Sequence, residues 1–341
     1  MSLKSVAEKA NVSLMTVSRV LNCKGYVSSK TREKVLAVSR ELGVFPQNRG
    51  RRSARNAEEA RTRQRVALLI DVDISSFFLS DLVVAIQRSL ADHGFDCLVQ
   101  SFTEERSDFV RALGGIGPGI AKACLAIGQF SDSEIRNVLN ANPVCVFVDF
   151  TPSPTLSLPI NVVSYDNIAA ARMAVAQLVV CGCERILCMQ GVPSNHFSRA
   201  MREGYLSALD RSDFPEGCLV TTDFTASGGY RALKAVMGSG SPFDGLFTTD
   251  EMAFGAIRAI QEKGLRIPDD VKVMGCDGLE LGKELLPPLS TVVLDRQLLS
   301  ERAVSRLMGL MNSPNQPAEH VLLAPKLDVR GTCVPPSKAG K

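Results

Sequence analysis

The chain has 341 residues, of which 45% are hydrophobic and 22% are charged. This length is enough for roughly two domains, and the composition is that of a globular protein rather than a disordered or fibrous one. No run of 18 uncharged apolar residues is present, and the N-terminus leads into a charged segment instead of the apolar region of a signal peptide. We therefore expect a cytoplasmic protein that does not span a membrane.

The charges are unevenly distributed along the chain. Residues 1–65 carry 15 Lys and Arg against 5 Asp and Glu, a net charge of +10, whereas the remainder has a net charge of −7. A basic N-terminal segment on an acidic body indicates a polyanionic partner. A solvated basic tail is the alternative, but the regular spacing of apolar positions within residues 3–42 argues against it.

The ten cysteines are scattered from Cys23 to Cys333, mostly within apolar runs. Cys181 and Cys183 are separated by one residue, not by the two of metal and redox motifs. Only three histidines are present, and they are far apart in the sequence. The cysteines are interpreted as reduced, small buried side chains, and we expect neither a metal site nor a cofactor.

Residues 1–45 show the apolar spacing of three short helices. Asn11-Val12 interrupts the first helix, Ser13 is a favourable N-cap for the second, and the third follows Val27-Ser28. Two short helices joined by a tight turn, the second with a polar and cationic outer face, predict a helix-turn-helix. The predicted apolar positions are Val6, Ala7, Ala10, Val17, Val20, Leu21, Val35, Leu36, Val38 and Leu42.

In a helix-turn-helix, the N-terminal end of the second helix enters the major groove of DNA. Arg19 is suited to bond guanine, and Leu14 or Met15 to contact a thymine methyl group. A small helical bundle with a charged face is the alternative interpretation. The short polar side chains suited to phosphate contacts are Ser13, Thr16, Ser18 and Asn22.

Residues 46–65 are rich in Arg and almost free of large apolar side chains, so they are interpreted as a linker. Arg49, Arg51, Arg52 and Arg55 suit the minor groove or the phosphates. A flexible charged tether is the alternative. At the other end of the chain, residues 335–341 are predicted to be a disordered tail.

Between residues 66 and 334, short apolar runs alternate with helical patterns. This alternation predicts an α/β fold, and about ten strand–helix units are too many for one compact sheet. We therefore expect two doubly wound parallel-sheet lobes, with a ligand bound in the cleft between them at the carboxyl ends of the strands. The predicted strands are 66–70, 96–100, 123–127, 144–148, 185–189, 218–222, 245–249 and 271–275, and the predicted helices include 79–93, 167–180, 198–210, 228–237 and 252–263.

Carboxylates cluster just beyond the predicted strands, where they are suited to accept hydrogen bonds from the hydroxyl groups of a polyol. Each is equally suited to be a helix N-cap, and for Asp250 the cap is the favoured interpretation. The carboxylates concerned are Asp71, Asp73, Asp149, Asp250 and Asp277.

The segment LKSVAEKANVSLMTVSRVLN, followed by GYVSSKTREKV, resembles without a gap the DNA-binding head of the lactose-repressor (LacI/GalR) family. One departure is Ser5, where the family has Asp. The resemblance implies that Leu14, Met15 and Arg19 read bases. The positions to which it assigns contacts with the DNA backbone are Leu3, Ser13, Thr16, Ser18, Asn22, Val27, Ser28 and Thr31.

The resemblance also implies a short hinge helix in the linker, with a Leu that wedges into the minor groove. Here Ser53 stands at the Leu position, and Gly50 weakens the helix by about 1 kcal/mol relative to Ala. A charged tether held by arginines therefore remains the alternative to a hinge helix.

The body resembles the same family in VSYDNIAAARMAVAQLVVCGCERI, FTTDEMAFGAIRAIQEKGLRIPDDVKVMGCDG and PPLSTVVLD. This implies a type I periplasmic-binding-protein-like core that forms a homodimer and binds a small effector. Three positions depart from the sugar-binding pattern: Met201 replaces an Arg, Thr249 an Asn, and Val293 or Leu294 the Gln of some members. Arg199 and Arg202 are the candidate substitutes for the missing Arg. The residues assigned to effector binding are Asp73, Ser75, Phe78, Asp149, Arg199, Thr249 and Asp277.

The sequence thus predicts a ligand-responsive repressor that binds a palindromic DNA operator as a dimer. Its effector is expected to be a sugar, a sugar acid or a related metabolite. An extracytoplasmic solute receptor is disfavoured by the DNA-binding head. An enzyme is also disfavoured, because the glycine-rich run at 114–119 lacks the last Gly of the dinucleotide fingerprint and no nucleophile elbow or P-loop is present.

Overall fold

The structure, a computed structural model, describes residues 3–21, 27–42, 64–71, 76–103, 106–153, 155–209 and 219–335. The chain divides into two compact units, Met1–Arg63 and Gln64–Lys341. Within the described residues, no helix is long and apolar enough to cross a membrane.

The N-terminal unit contains three helices around a small apolar core. Val6, Val17 and Val35, one from each helix, have no exposed surface. Leu36, Val38 and Leu42 pack against this core, as their spacing in the sequence predicts. The helices are α1 (Leu3–Ala10), α2 (Leu14–Leu21) and α3 (Ser29–Glu41).

The first lobe of the second unit contains a six-stranded parallel sheet, whose edge strand β11 (His320–Leu323) comes from late in the chain. The strand order is β11-β5-β4-β3-β1-β2. Its elements up to residue 165 are β1 (Arg65–Asp71), α4 (Phe77–Asp92), β2 (Asp96–Ser101), α5 (Arg106–Gly114), β3 (Ala123–Gly128), α6 (Asp132–Ala141), β4 (Cys145–Val148) and β5 (Asn161–Tyr165).

The second lobe contains a six-stranded sheet in the order β12-β10-β9-β8-β6-β7, parallel except for the edge strand β12. Its elements are α7 (Asn167–Val180), β6 (Ile186–Gln190), α8 (His196–Ala208), β7 (Leu219–Thr221), α9 (Ala226–Gly238), β8 (Gly245–Phe247), α10 (Asp250–Glu262), β9 (Lys272–Asp277), a 3-10 helix (Glu280–Glu284), β10 (Ser290–Val293) and β12 (Lys326–Asp328).

The chain crosses between the lobes three times. It leaves the first lobe after β5, since α7 packs on α8 and β9 of the second. It returns after β10 through α11 (Arg296–Asn312), which packs on α4, and then forms β11 (His320–Leu323). It crosses again between β11 and β12. Each of the first two crossings is short, since β5 ends at Tyr165 and α7 begins at Asn167, and β10 ends at Val293 and α11 begins at Arg296.

Both faces of β1, an inner strand of the first sheet, are buried. Val66, Leu68 and Ile70 of β1 join one apolar cluster, while Ala67 and Leu69 join another on the opposite face. Continuous apolar strands are expected where helices cover both sides of a parallel sheet. The eight predicted strands and five predicted helices all form, with ends within two residues of those expected.

Helices α9 and α10 pack closely because each has a glycine where it meets the backbone of the other. A Cβ atom added at Gly255 of α10 would overlap the carbonyl oxygen of Ala226 in α9. A Cβ atom added at Gly229 of α9 would likewise overlap the carbonyl oxygen of Met252 in α10. This approach brings the N-termini of the two helices together at one end of the sheet.

We expect Gly255→Ala to lower the free energy of unfolding by about 1–3 kcal/mol, because the added methyl group must push α9 and α10 apart. Gly238→Ala is the matched control, since it lies at the end of α9 with no atom within 4 Å of an added Cβ. It should leave stability unchanged or raise it by up to about 1 kcal/mol. Denaturant unfolding of the two variants measures the difference, and equal effects would contradict the close packing.

Candidate functional site

The second helix of the N-terminal unit presents the predicted DNA-reading side chains to solvent. Leu14 and Met15 are 51% and 65% exposed, which is unusual for large apolar residues of such a small unit, and Arg19 is exposed on the same helix. Val17 and Val20 on the opposite face are buried. Burial of one face therefore fixes which face is available to DNA.

Short hydroxyl side chains fix the start of α2 and of α3. Ser13 Oγ accepts a hydrogen bond from the Thr16 N–H at 3.1 Å, as predicted for an N-cap. Ser28 Oγ accepts one from the Thr31 N–H at 3.3 Å. Of the other predicted DNA contacts, Ser18 and Val27 are half-buried. The structure does not describe Asn22, Arg49, Arg51, Arg52 or the side chain of Leu3.

A cavity of about 290 Å³ lies between the two lobes of the second unit, at the carboxyl ends of strands from both sheets. This is where ligands bind in open parallel α/β sheets. The first lobe contributes Ser76, Phe78, Leu79, Ile127, Gly128, Gln129 and Asp149, and the second contributes Asn195, His196, Phe197, Phe224, Thr225, Thr249, Glu251, Asp277 and Leu294.

Two carboxylates in this lining accept no hydrogen bond from the described residues. Asp149 Oδ1 is completely buried and has no partner. Burial raises the pKa of Asp149 to about 6. Asp277 is 8% exposed, and burial together with the charge of Asp250 raises its pKa well above the usual range. A hydrogen-bond donor or a positive charge in the cavity would therefore stabilise both carboxylates.

The same two residues have strained backbone. Of the described residues other than glycine, only Asn11, Asp149 and Asp277 have positive φ, with values of 51° at Asp149 and 131° at Asp277. Such conformations cost about 1–3 kcal/mol each and persist where the surroundings enforce them, often at binding sites. Gly128, with φ of 125°, approaches Asp71 too closely for any side chain.

Arg296 at the start of α11 holds the backbone of Asp277 in place. Its Nη1 donates to the carbonyl oxygens of Asp277 and, at 3.2 Å, of Leu294, and its Nη2 donates to that of Gly278 at 3.0 Å. The guanidinium also lies 5.7 Å from the centre of the Phe78 ring. The carboxylate nearest to this guanidinium is that of Asp81, whose Oδ2 lies 3.8 Å from Nη2.

His196 and Gln129 join the two lobes beside the cavity. The backbone N–H of His196 donates to Gln129 Oε1 at 3.1 Å, and Gln129 Nε2 donates to the ring nitrogen Nδ1 of His196. Because the amide nitrogen donates, Nδ1 accepts and the proton of the neutral ring lies on Nε2, which has no partner among the described residues. Burial and the charge of Arg199 lower the pKa of His196 to about 4, against a smaller opposing effect of the Asp149 backbone, so the ring is neutral at pH 7.

Three helices of the second lobe begin at the cavity, and each first turn is capped by a side chain. Asn195 accepts from the Phe197 N–H at 2.8 Å, Thr225 from the Gly228 N–H at 2.9 Å, and Thr249 from the Met252 N–H at 3.4 Å. The prediction that Asp250 caps α10 is wrong. Asp250 is buried and accepts from Thr291 Oγ1 at 2.6 Å and from the Leu279 N–H at 2.7 Å, so Thr249 takes the cap position.

Four of the seven residues predicted to bind the effector line the cavity. Phe78, Asp149, Thr249 and Asp277 line the cavity. Arg199 does not line it; its guanidinium is exposed and donates to the Ser194 carbonyl at 2.5 Å. Asp73 and Ser75 lie outside the described residues. Sequence reasoning missed Gln129, His196 and Glu251, because their only local signal is a position shortly after a strand or at a helix start.

Asp149→Asn should raise the free energy of unfolding by about 1–2 kcal/mol at pH 7.5. The pKa of about 6 in the folded state exceeds the ordinary 3.8, so the Asp149 contribution to stability is lost as pH rises through this window. Asn removes the buried charge and also tolerates positive φ.

Thermal unfolding at pH 5.0 and 7.5 measures the effect, with Glu203→Gln, an exposed change on α8, as the control. The gain from Asp149→Asn should be largest at pH 7.5. His196 has the opposite pH dependence, because it is buried in its neutral form and so destabilises the fold as pH falls below 6.5. This effect is the same in wild type and in Asp149→Asn, and it cancels when the two are compared. A gain independent of pH would contradict a buried charge at Asp149.

Comparisons with known proteins agree with this arrangement. The family profile described as "Bacterial regulatory proteins, lacI family" matches residues 2–47, and a "Periplasmic binding protein-like domain" profile matches residues 175–333. The chain is 30% identical over 337 residues to the HTH-type transcriptional repressor CytR of Escherichia coli K12, covering 97% of this chain and 96% of that protein.

Two further relatives are similar over most of their length. The lactose operon repressor of Escherichia coli K12 is 33% identical over 318 residues, covering 91% of this chain and 84% of that protein. The crystal structure of the lac repressor dimer bound to operator and the anti-inducer ONPF has a TM-score of 0.72 at 27% identity, covering 98% of this chain and 99% of that one. On the profile of its N-terminal unit and its similarity to a repressor over almost the whole length, the chain belongs to the lacI family of bacterial regulatory proteins.

Proposed function

We propose that this protein is an effector-controlled transcriptional repressor that binds a palindromic operator as a homodimer. The observation that carries the proposal is the surface of α2, where Leu14, Met15 and Arg19 are exposed on a helix whose opposite face is buried. Such a helix can enter the major groove with its N-terminal residues against the base edges. A two-fold dimer presents two such helices symmetrically, and hence reads a palindrome.

The proposed division of labour follows the chain. Residues 1–45 bind DNA, residues 46–65 form the linker, residues 66–334 bind the effector and dimerise, and residues 335–341 form a tail. In the linker, Arg49, Arg51 and Arg52 are proposed to add contacts to phosphates or the minor groove. The lac repressor structure to which this chain is similar is itself a dimer bound to operator and a small ligand, which supports this assignment.

The effector is proposed to bind in the cavity between the lobes and to be a sugar, a sugar acid or a related metabolite. A cavity of about 290 Å³ is at the lower end of the roughly 300–1,000 Å³ of small-molecule sites, which suits one sugar ring. Asp149 and Asp277 are suited to accept from hydroxyl groups, and the neutral His196 to donate from Nε2.

Control of DNA binding is proposed to act through the arrangement of the lobes. Gln129–His196 and the 3.4 Å hydrogen bond from the Phe77 N–H to Glu251 Oε2 both connect the first lobe to the second beside the cavity. A ligand shifts a two-state equilibrium only by its difference in affinity for the two states, typically about 1–3 kcal/mol in allosteric proteins. A ligand that contacts both lobes binds one arrangement of the lobes more tightly than the other.

No catalytic role is proposed for the cavity. The relatives are named as repressors, which supports a regulator rather than an enzyme. Binding to operator DNA implies a cytoplasmic location.

Arg19→Ala should weaken binding to a cognate operator by about 1–3 kcal/mol and relax specificity at one base pair in each half-site. Wild-type affinity should fall by roughly 10³–10⁵ between 50 and 200 mM salt, because six to ten phosphate contacts release counterions. Selection from random DNA followed by fluorescence anisotropy measures both effects.

Arg172→Ala, an exposed change on α7 of the second unit, is the matched control and should bind the operator like wild type. Recovery of asymmetric single sites would refute the dimeric mode of binding. An Arg19→Ala variant with unaltered specificity would remove Arg19 from the base-reading surface.

Asp149→Ala and Asp277→Ala should abolish the response to effector while retaining operator affinity, because both side chains line the cavity of the second unit and not the DNA-reading helix. An operator-controlled reporter measured during growth on a range of carbon sources tests this. Wild type should respond to at least one of them, as should Glu203→Gln, and the two alanine variants to none. A normal response in both alanine variants would exclude their carboxylates from effector recognition.

A further inference from the structure

The cavity between the lobes has an excess of negative charge. Its lining includes the carboxylates of Asp149, Glu251 and Asp277. Asp149 and Asp277 accept no hydrogen bond from the described residues, and Glu251 accepts only the long one from the Phe77 N–H. Buried carboxylates are normally paired with a positive charge, because an isolated one is costly to remove from water.

No cationic side chain of the described residues lines this cavity. Met201, on the first helix after β6, is 1% exposed and belongs to the apolar core. The Arg199 guanidinium lies outside the lining and is bonded to the Ser194 carbonyl. Arg296 is near enough to lower the pKa of Asp277, but its guanidinium lies outside the lining, where it is bonded to backbone carbonyls and is 3.8 Å from Asp81 Oδ2. The negative charge thus has no partner within the lining.

The helix N-termini at the cavity stabilise negative charge, but less strongly than a cationic side chain would. Those of α8, α9 and α10 carry partial positive charge, worth about 0.3–1 kcal/mol each for a nearby anion. In each of them, the cap side chain of Asn195, Thr225 or Thr249 already accepts from at least one first-turn N–H group. Burial raises the pKa of Asp149, and burial together with the charge of Asp250 raises that of Asp277.

Three aromatic side chains also line the cavity. Phe78 lies on the first lobe, and Phe197 and Phe224, with ring centroids 6.2 Å apart, lie on the second. Aromatic faces attract cations and also pack against the C–H face of a sugar ring. Carboxylates between aromatic rings therefore match a ligand with an apolar ring face, hydroxyl groups and a positive charge.

We infer that the effector is a polyhydroxylated organic amine the size of one hexosamine, with its ammonium group between Asp149 and Asp277. This inference rests on the proposed function, since it assumes that the cavity is the effector site. The ammonium group donates up to three hydrogen bonds to the unpartnered carboxylates, while His196 Nε2 donates to a hydroxyl group. Sugar acids and phosphate esters are disfavoured, because they would place a second negative charge beside the carboxylates.

Matched sugars test the charge of the ligand directly. Thermal unfolding of the full chain is followed with glucosamine, galactosamine and mannosamine, with the parent hexoses, with the N-acetylated forms, and with hexuronates and hexose 6-phosphates. At least one amine should raise the melting temperature and bind at least 10-fold more tightly than its neutral or anionic counterparts. If no amine stabilises the protein, or if a neutral or anionic counterpart binds as tightly, the inference is wrong.

Proton release gives a second, independent measurement. Calorimetry with the best amine at pH 6.0, in two buffers of different ionisation enthalpy, should show release of protons, because the ammonium group lowers the pKa of Asp149 from about 6. Asp149→Asn should lose most of this release and at least 10-fold in affinity. The exposed control Glu203→Gln should retain both. Equal proton release by Asp149→Asn and wild type would overturn the placement of the amine.

Failure of this inference is distinguishable from failure of the proposed function. A hexose or a phosphate ester that stabilises the protein and releases operator DNA would overturn the amine but leave the regulator intact. Absence of operator binding in the anisotropy assay would overturn the proposed function, whatever the sugars do.

Discussion

The carboxylates of Asp149 and Asp277 are enclosed in one cavity, each at the carboxyl end of a strand in a different lobe, and neither has a hydrogen-bond partner among the described residues. Taking a carboxylate out of water costs free energy unless another group replaces the lost hydration. A ligand that bonds to both carboxylates replaces that hydration only when the lobes face each other. This requirement is a physical means of coupling ligand binding to the lobe arrangement.

The surrounding structure is organised to hold these two groups. Arg296 donates hydrogen bonds to the carbonyl oxygens of Asp277 and Gly278 at the end of β9. These bonds stabilise the backbone conformation of Asp277, which has a φ of 131°. Glycines between α9 and α10 allow both helix starts to reach the cavity. Gln129 bonds both the backbone and the ring of His196 and so joins the lobes. Each of these contacts links segments that are distant in the sequence or in different elements.

Much of this protein could be predicted from the sequence because the signals are local. Apolar spacing identifies α1 to α3 and the main strands and helices, since burial requires one periodic face in a helix and continuous apolar character in a parallel strand. Strand ends identified Asp149 and Asp277, because the carboxyl ends of parallel strands converge. Four strands, β5, β10, β11 and β12, were not among the predicted ones. The last of them has only three residues, too few for a recognisable period, and β11 is partly exposed.

Tertiary structure decided the rest. From the sequence, Asp250 is as good an N-cap as Thr249, and only the approach of Thr291 and the Leu279 N–H draws its carboxylate into the interior. Arg199 is suited by composition to a ligand site, yet its place on α8 leaves it exposed. The sequence by itself determined the fold class, the exposed face of α2 and two strand-end carboxylates. Which polar side chains line the cavity, and that no cation lines it in the described residues, depended on contacts between lobes, which local periodicity does not encode.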